Sequence, residues 1–104
     1  MTFINLTPHA IHLNSGEVYS ASGQVARVSS EVTMHDDGFY RQSFSDVIGL
    51  PESKKGTYYI VSAMVLQAAN SRQDLIAPAT SHPDCIRNDK GHIVSVPGFV
   101  RNSF

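Results

Sequence analysis

The sequence is short of cysteine: Cys85 stands alone among 104 residues. A single thiol excludes an internal disulfide and gives no start to a zinc-ribbon pattern. A reducing compartment is the simplest setting for such a chain. It is also short of charge of either sign. A formal net charge of −1 argues against duplex nucleic acid as a partner, because gripping two phosphate backbones needs a clearly basic surface. Long apolar runs are missing too. No stretch approaches the roughly 18 residues of a membrane-spanning helix, and the opening MTFINLTPHAIHLN lacks the basic start and apolar run of a signal peptide. The expectation is therefore a protein of the cytoplasm that neither spans nor binds a membrane. There is no glycine-rich phosphate loop, nucleophile elbow or paired-carboxylate pattern, and no repeat, linker or low-complexity tract. Residues 1–104 read as a single domain, with one modest core that oligomerisation would help to stabilise.

What is present is organised around residues 56–78, GTYYIVSAMVLQAANSRQDLIAP. Thr57 to Val61 are β-branched or aromatic without a break, the pattern of a strand covered on both faces. Ser62 ends the run and is a good N-cap, and Ala63 to Ala69 are mostly strong helix formers. The pattern predicts a helix over about residues 62–71. Met64, Val65, Leu66, Ala68 and Ala69 leave it almost no polar face, so it is expected to be buried on more than one side, the second side against another copy of the chain. The implied fold class is α+β: a mainly antiparallel sheet with one central buried helix and several short hairpins.

The flanking segments read as short strands. Residues 3–21 predict a hairpin interrupted at Pro8 and turned at Asn14-Ser15-Gly16, since proline cannot donate to a ladder. Residues 24–29 alternate, placing Arg27 opposite the face that Val28 buries. Asp36-Asp37-Gly38 is a turn between strands near 31–35 and 39–44. A tight hairpin around Asn88-Asp89-Lys90-Gly91 joins Cys85–Arg87 to His92–Val96, and Phe99–Arg101 form the last strand.

Five histidines raise the question of metal or acid-base chemistry. His9 and His12 sit on an expected strand, where an odd offset sends them to opposite faces, so a shared metal is not expected. His82, Asp84 and Cys85 form a closer group, but without a second ligand pair at a recognisable spacing they read more simply as loop residues. Cys85 beside His82 or His92 can be drawn as a nucleophile with its base, yet a lone cysteine at a strand start is more often a small buried apolar residue. The arginines are more informative, because Arg27, Arg72, Arg87 and Arg101 all fall at structured positions. Guanidinium groups match phosphate oxygens in pairs, and Tyr58, Tyr59 or Phe99 could stack on a base, so together they describe a nucleotide pocket. The ordinary alternative for each is a surface ion pair, as Arg72 with Asp74 would be.

The segments INLTPHAI, SGQVARVS, GLP followed by GTYYIVSAMVLQAANSRQDLIAP, and IRNDKGHIVSVPGFVR, in order along nearly the whole chain, resemble the phage-encoded anti-Thoeris sponges. These small proteins capture cyclic ADP-ribose signals made by bacterial TIR proteins. The resemblance implies a non-catalytic protein of the host-cell cytoplasm that binds a cyclic ADP-ribose-type nucleotide without cofactor or metal. It implies assembly into a homo-oligomer, dimer or hexamer, with ligand sites where two protomers meet. Carried over to this chain, Arg27 and Arg101 would hold the pyrophosphate, and Thr80, His82 and Asp84 would stand near the ribose and base. His82 departs from the expected pattern, where asparagine or glycine is as plausible. The competing expectations are a hydrolase of such a nucleotide using His82, Asp84 or His9, and a phage structural or interaction protein with no small ligand.

Overall fold

The computed structural model describes residues 1–102. Its strands are β1 (Thr2–Asn5), β2 (Ile11–His12), β3 (Val18–Tyr19), β4 (Ser30–Met34), β5 (Tyr40–Phe44), β6 (Thr57–Ile60), β7 (Leu75–Pro78), β8 (Ile86–Arg87), β9 (Ile93–Ser95) and β10 (Phe99–Val100). A single helix, α1 (Ala63–Ala68), stands between β6 and β7 among the described residues. The fold is thus mixed, with strands in small sheets and one short helix.

The central sheet runs β1-β6-β7-β10. The expectation of a mainly antiparallel sheet holds only loosely: β7-β10, β2-β3, β4-β5 and β8-β9 are antiparallel, but the core of the central sheet is not. β1 pairs with β6 in parallel, from Thr2 opposite Thr57 to Asn5 opposite Ile60, and β6 pairs with β7 in parallel. The cause is the connection over residues 61–74, which contains α1. Parallel neighbours need a crossover of about a dozen residues, and a helix supplies it. Only β10 joins this sheet antiparallel, Phe99 opposite Pro78. The antiparallel pairs otherwise lie in three separate ribbons, β2-β3, β4-β5 and β8-β9. The first hairpin is accordingly smaller than residues 3–21, because β1 is taken by β6 and only β2 and β3 face each other.

Strand β6 is covered as its sequence predicts, with Tyr59 and Ile60 buried. One face of the sheet presents Leu6, Tyr59, Val61, Leu75 and Ala77, and Val65 and Leu66 of α1 close over them. Full burial of each such side chain contributes about 1.5–3 kcal/mol before the entropy of ordering is subtracted. The other face carries an aromatic ladder that crosses from edge to edge. Tyr58 stacks on Phe3 at 5.8 Å, Phe3 meets Tyr19 edge-on at 5.5 Å, and Tyr19 meets Phe99 in the same way at 5.5 Å.

Helix α1 begins where the sequence says it should. Ser62 is its N-cap, and the side-chain oxygen accepts from Val65 N at 3.3 Å. It is shorter than residues 62–71 and less enclosed than its composition suggests. Val65 and Leu66 are its buried residues, while Met64 is 41% exposed. The helix stops at Ala68 because the next turn is drawn away toward β7, where Arg72 grips Asp74 through two hydrogen bonds of 2.8 and 2.7 Å.

Candidate functional site

Two concave regions lie at opposite ends of the parallel strands. At the end where β6 and β7 begin is a groove of about 430 Å³ lined by Lys54, Thr57, Tyr58, Gln73 and Asp74. Its walls are set by backbone bonds that tie three segments together: Thr2 N donates to the Gly56 carbonyl, Thr57 N to Lys54 and Tyr59 N to Asp74. Because β10 runs antiparallel to β7, the residue after it returns to this same end. Arg101 Nη2 donates to the carbonyl of Gln73 at 3.0 Å. Lys54 and, at the end of the aromatic ladder, Tyr58 line this groove, and Arg101, distant in sequence, is not a lining residue but reaches the carbonyl of the lining residue Gln73. The acid in the groove, Asp74, is already engaged. The hydrogen bond and charge of Arg72 hold its carboxyl below the ordinary range against the opposing pull of burial, so much of its charge is compensated within the chain.

At the other end, beyond the C-termini of β1 and β7, is a cavity of about 310 Å³ lined by His9, His12, Pro78, Thr80 and Ser95 among others. Asn5 shapes this end from inside. It is 2% exposed and uses its whole amide: Nδ2 donates to the carbonyls of His9 and Tyr19, both at 2.9 Å. Its Oδ1 accepts from Thr7 N at 2.9 Å and Thr7 Oγ1 at 2.6 Å. That arrangement is an Asx-turn placed just before Pro8, and it holds His9 at the cavity rim.

The residues singled out in the sequence are distributed over both ends and beyond. Tyr58 lines the first groove, while Arg101 and Arg72 stand behind it on the lining residues Gln73 and Asp74. Arg72 is held by Asp74 and by the carbonyl of Pro51 at 3.0 Å, so its role is to pin two loops. Tyr59 is buried with its hydroxyl donating to Glu52 O at 3.2 Å, out of reach of a stacking base. Thr80, Arg87 and Phe99 gather near the second cavity. Arg87 donates to the carbonyls of Thr80 at 3.1 Å and Gly91 at 3.0 Å, and Phe99 is paired with Pro78. His82 Nδ1 accepts from the backbone N–H of Asp84 at 3.0 Å, an acceptor role that a proton on Nδ1 would abolish. Both residues are exposed. Arg27 is exposed and bridges Ile48. It follows Ala26, whose N–H donates to Leu6 just past β1, so Arg27 lies on the β1 side of the sheet and Arg101 on the β10 side. Within one chain the two do not share a cleft.

Sequence reasoning misses Lys54, Gln73, Asn5 and the ladder partners Phe3 and Tyr19. Asn5 carries a usable signal, an asparagine two residues before a threonine-proline pair. Lys54 lies in a polar run that looks like any solvated loop. Among the described residues no three histidine, cysteine or acidic side chains group as metal ligands, and no helix is long and apolar enough to cross a membrane. No protein-family model, curated protein or solved structure matches the chain.

Proposed function

We propose that this protein binds a cyclic ADP-ribose-type nucleotide and holds it without cleavage, as a phage anti-defence sponge in the host cytoplasm. The sequence resemblance suggests the ligand class. The observation that supports the reading is the groove lined by Lys54, Tyr58 and Gln73, with Arg101 held on the Gln73 carbonyl beside it. Two cations suit a pyrophosphate, an aromatic edge suits a base, and the side-chain amide of Gln73 suits a ribose hydroxyl. The volume falls in the range of small-molecule sites. Arg27 enters the reading only across a boundary between protomers, as a homo-oligomer with shared sites would allow. Thr80, His82, Asp84, Arg87 and Phe99 belong to the opposite end and are not assigned to this groove.

Calorimetry with cyclic ADP-ribose isomers and linear ADP-ribose tests the proposal. Binding is expected, with Lys54→Ala and Arg101→Ala each weakening it about tenfold, which is about 1.4 kcal/mol, while the fold is retained. Ligand released by heating the complex should be chemically intact. Recovery of a cleaved product would make the protein a hydrolase. Absence of any thermal shift with these nucleotides would leave a structural or interaction protein.

A further inference from the structure

Strands β2 and β9 meet like the two arms of a fork. At the apex they run parallel and are pinned. Val96 N donates to the His12 carbonyl at 3.0 Å, Asn14 N donates to the Val96 carbonyl at 2.8 Å, and the Ser95 hydroxyl donates to Asn14 Oδ1 at 2.6 Å. One step further the ladder stops, because Leu13–Val96 is an isolated bridge. Each arm is drawn away by its own partner. The register of β8 and β9 slips between Ile86 and Arg87, where Val94 is the extra residue of β9, and Asn5 of β1 holds the His9 carbonyl at 2.9 Å. The space between the arms is the cavity of about 310 Å³, and these bonds keep it from closing.

The polar groups that line it are one-sided. The His12 carbonyl is turned toward β9, so the His12 N–H, on the same edge of its strand, is turned there too and lacks the acceptor that a regular ladder would supply. The imidazoles of His9 and His12 and the Thr80 hydroxyl stand around the same space, and an imidazole carries at least one N–H donor in either protonation state. No aspartate, glutamate, lysine or arginine is among the lining residues. The rest of the wall is largely aliphatic, including Ile93 and Val94, which are 44% and 51% exposed.

We propose that this cavity binds a small monocarboxylic acid, with the carboxylate received by the His12 N–H and the two imidazoles and the apolar body lying on Ile93 and Val94. An ionised carboxylate only accepts hydrogen bonds, so it suits a wall that offers donors and no competing acid. The volume stands at the small end of ligand cavities and limits the body to roughly a single ring or a short branched chain. This inference is independent of the nucleotide reading, which concerns the opposite end of the parallel strands.

An amide-shift titration of the isotope-labelled full chain with benzoate tests the assignment. Shifts are expected at the backbone amides of His12, Ile93 and Val94 and not at Tyr58 or Gln73. Benzamide and benzyl alcohol keep the ring and lose the charge, and should bind about tenfold more weakly. Inorganic phosphate, which has no apolar body, should leave these amides unmoved. His9→Ala combined with His12→Ala should weaken benzoate about tenfold while the amides of β6 and β7 stay in place, and Ile93→Trp, which fills the cavity, should abolish binding. The assignment is overturned if benzoate moves no amide at the cavity, if benzamide binds as well as benzoate, or if phosphate alone gives the same shifts. Full affinity in the double histidine variant overturns it as well. So does tighter binding of a short peptide ending in valine, which would make the cavity a site for peptide C-termini.

Discussion

The central sheet and the β4-β5 arm use similar residues and reach opposite outcomes. Strand β6, Thr57–Ile60, is aromatic and β-branched, and its own chain covers both faces. Strand β5, Tyr40–Phe44, also carries aromatics, yet each of its residues is exposed. The difference lies in pairing distance. The sheet takes neighbours far away in sequence, β1 from the N-terminal end and β7 from across the helix, so each strand is locked by partners and by side chains packed over it. In the arm, each strand pairs only with the one across its own short turn. Non-local pairing costs more loop entropy to form and returns a core, whereas local pairing is cheap to form and leaves a face open. Stability should therefore be concentrated in the sheet, and the arm should open independently of it.

The largest effect is expected at Asn5. Asn5→Ala strips the partners from the buried region around the carbonyls of His9 and Tyr19 and from Thr7 N, and leaves a void beside β1. The loss should be about 3 kcal/mol in urea unfolding, in the range of a broken buried polar network. A side chain on the polar face of the arm gives the contrast: Thr33→Ala should change stability by less than about 0.5 kcal/mol. Comparable losses at the two positions would mean that the arm is part of the cooperative core.

A sharper comparison sets two glycines with similar backbones against each other. Gly38, in the arm's turn, has φ of 84° and open space where a Cβ would go. Gly49 has φ of 83°, but a Cβ there would lie 2.5 Å from the carbonyl oxygen of Val25. It sits where the arm's base, Arg27 bridged to Ile48, rejoins the body at Leu50. Gly38→Ala should cost about 1 kcal/mol from the positive φ alone. Gly49→Ala adds a backbone collision and should cost about 2 kcal/mol or more. Thermal unfolding of the two variants separates strain from crowding, and equal shifts would show that the arm's base moves freely.

How far these features can be read from the sequence obeys the same division between local and non-local. Ser62 as a cap, the buried run of β6, the turn at Asp36-Asp37-Gly38 and the hairpin around Asn88–Gly91 depend on neighbouring residues, and the sequence shows them. The pairing of β1 with β6 depends on segments about fifty residues apart, and nothing in the pattern of either strand names the other. A parallel pairing of this kind is therefore indistinguishable, from strand patterns alone, from an antiparallel one. The same limit applies to the site. Tyr58 and Arg101 are recognisable as ligand-type residues, but only the antiparallel return of β10 places Arg101 over Gln73. Arg27 looks equivalent to Arg101 in sequence and lies on the opposite side of the sheet. The Arg72–Asp74 pair is local and visible in the sequence, but the short extent of α1 is not, because the segment after the helix is also held by distant partners, Tyr59 N on the Asp74 carbonyl and Arg72 on the Pro51 carbonyl.

The smallest expected effect compares the two arginine–aspartate pairs. Arg72 and Asp74 are enclosed in the body, with side chains 25% and 14% exposed, whereas Arg41 and Asp37 stand in the open arm at 52% and 44%. In the body, the hydrogen bond from Arg72 outweighs burial and holds the Asp74 carboxyl below its ordinary 3.8. A carboxylate depressed by folding stabilises the native state fully above its unfolded pKa, and that contribution is lost as pH falls through the lower, folded value. The pair should thus support the fold at neutral pH and fade below about pH 4. Asp74→Asn should remove about 1 kcal/mol at pH 7 and flatten the acid limb of a stability-versus-pH curve. Asp37→Asn should leave the neutral-pH stability within about 0.5 kcal/mol, since an exposed pair exchanges its contacts for water at little net change. Equal losses from the two substitutions at pH 7 would show that enclosure in the body adds nothing to the Arg72–Asp74 pair.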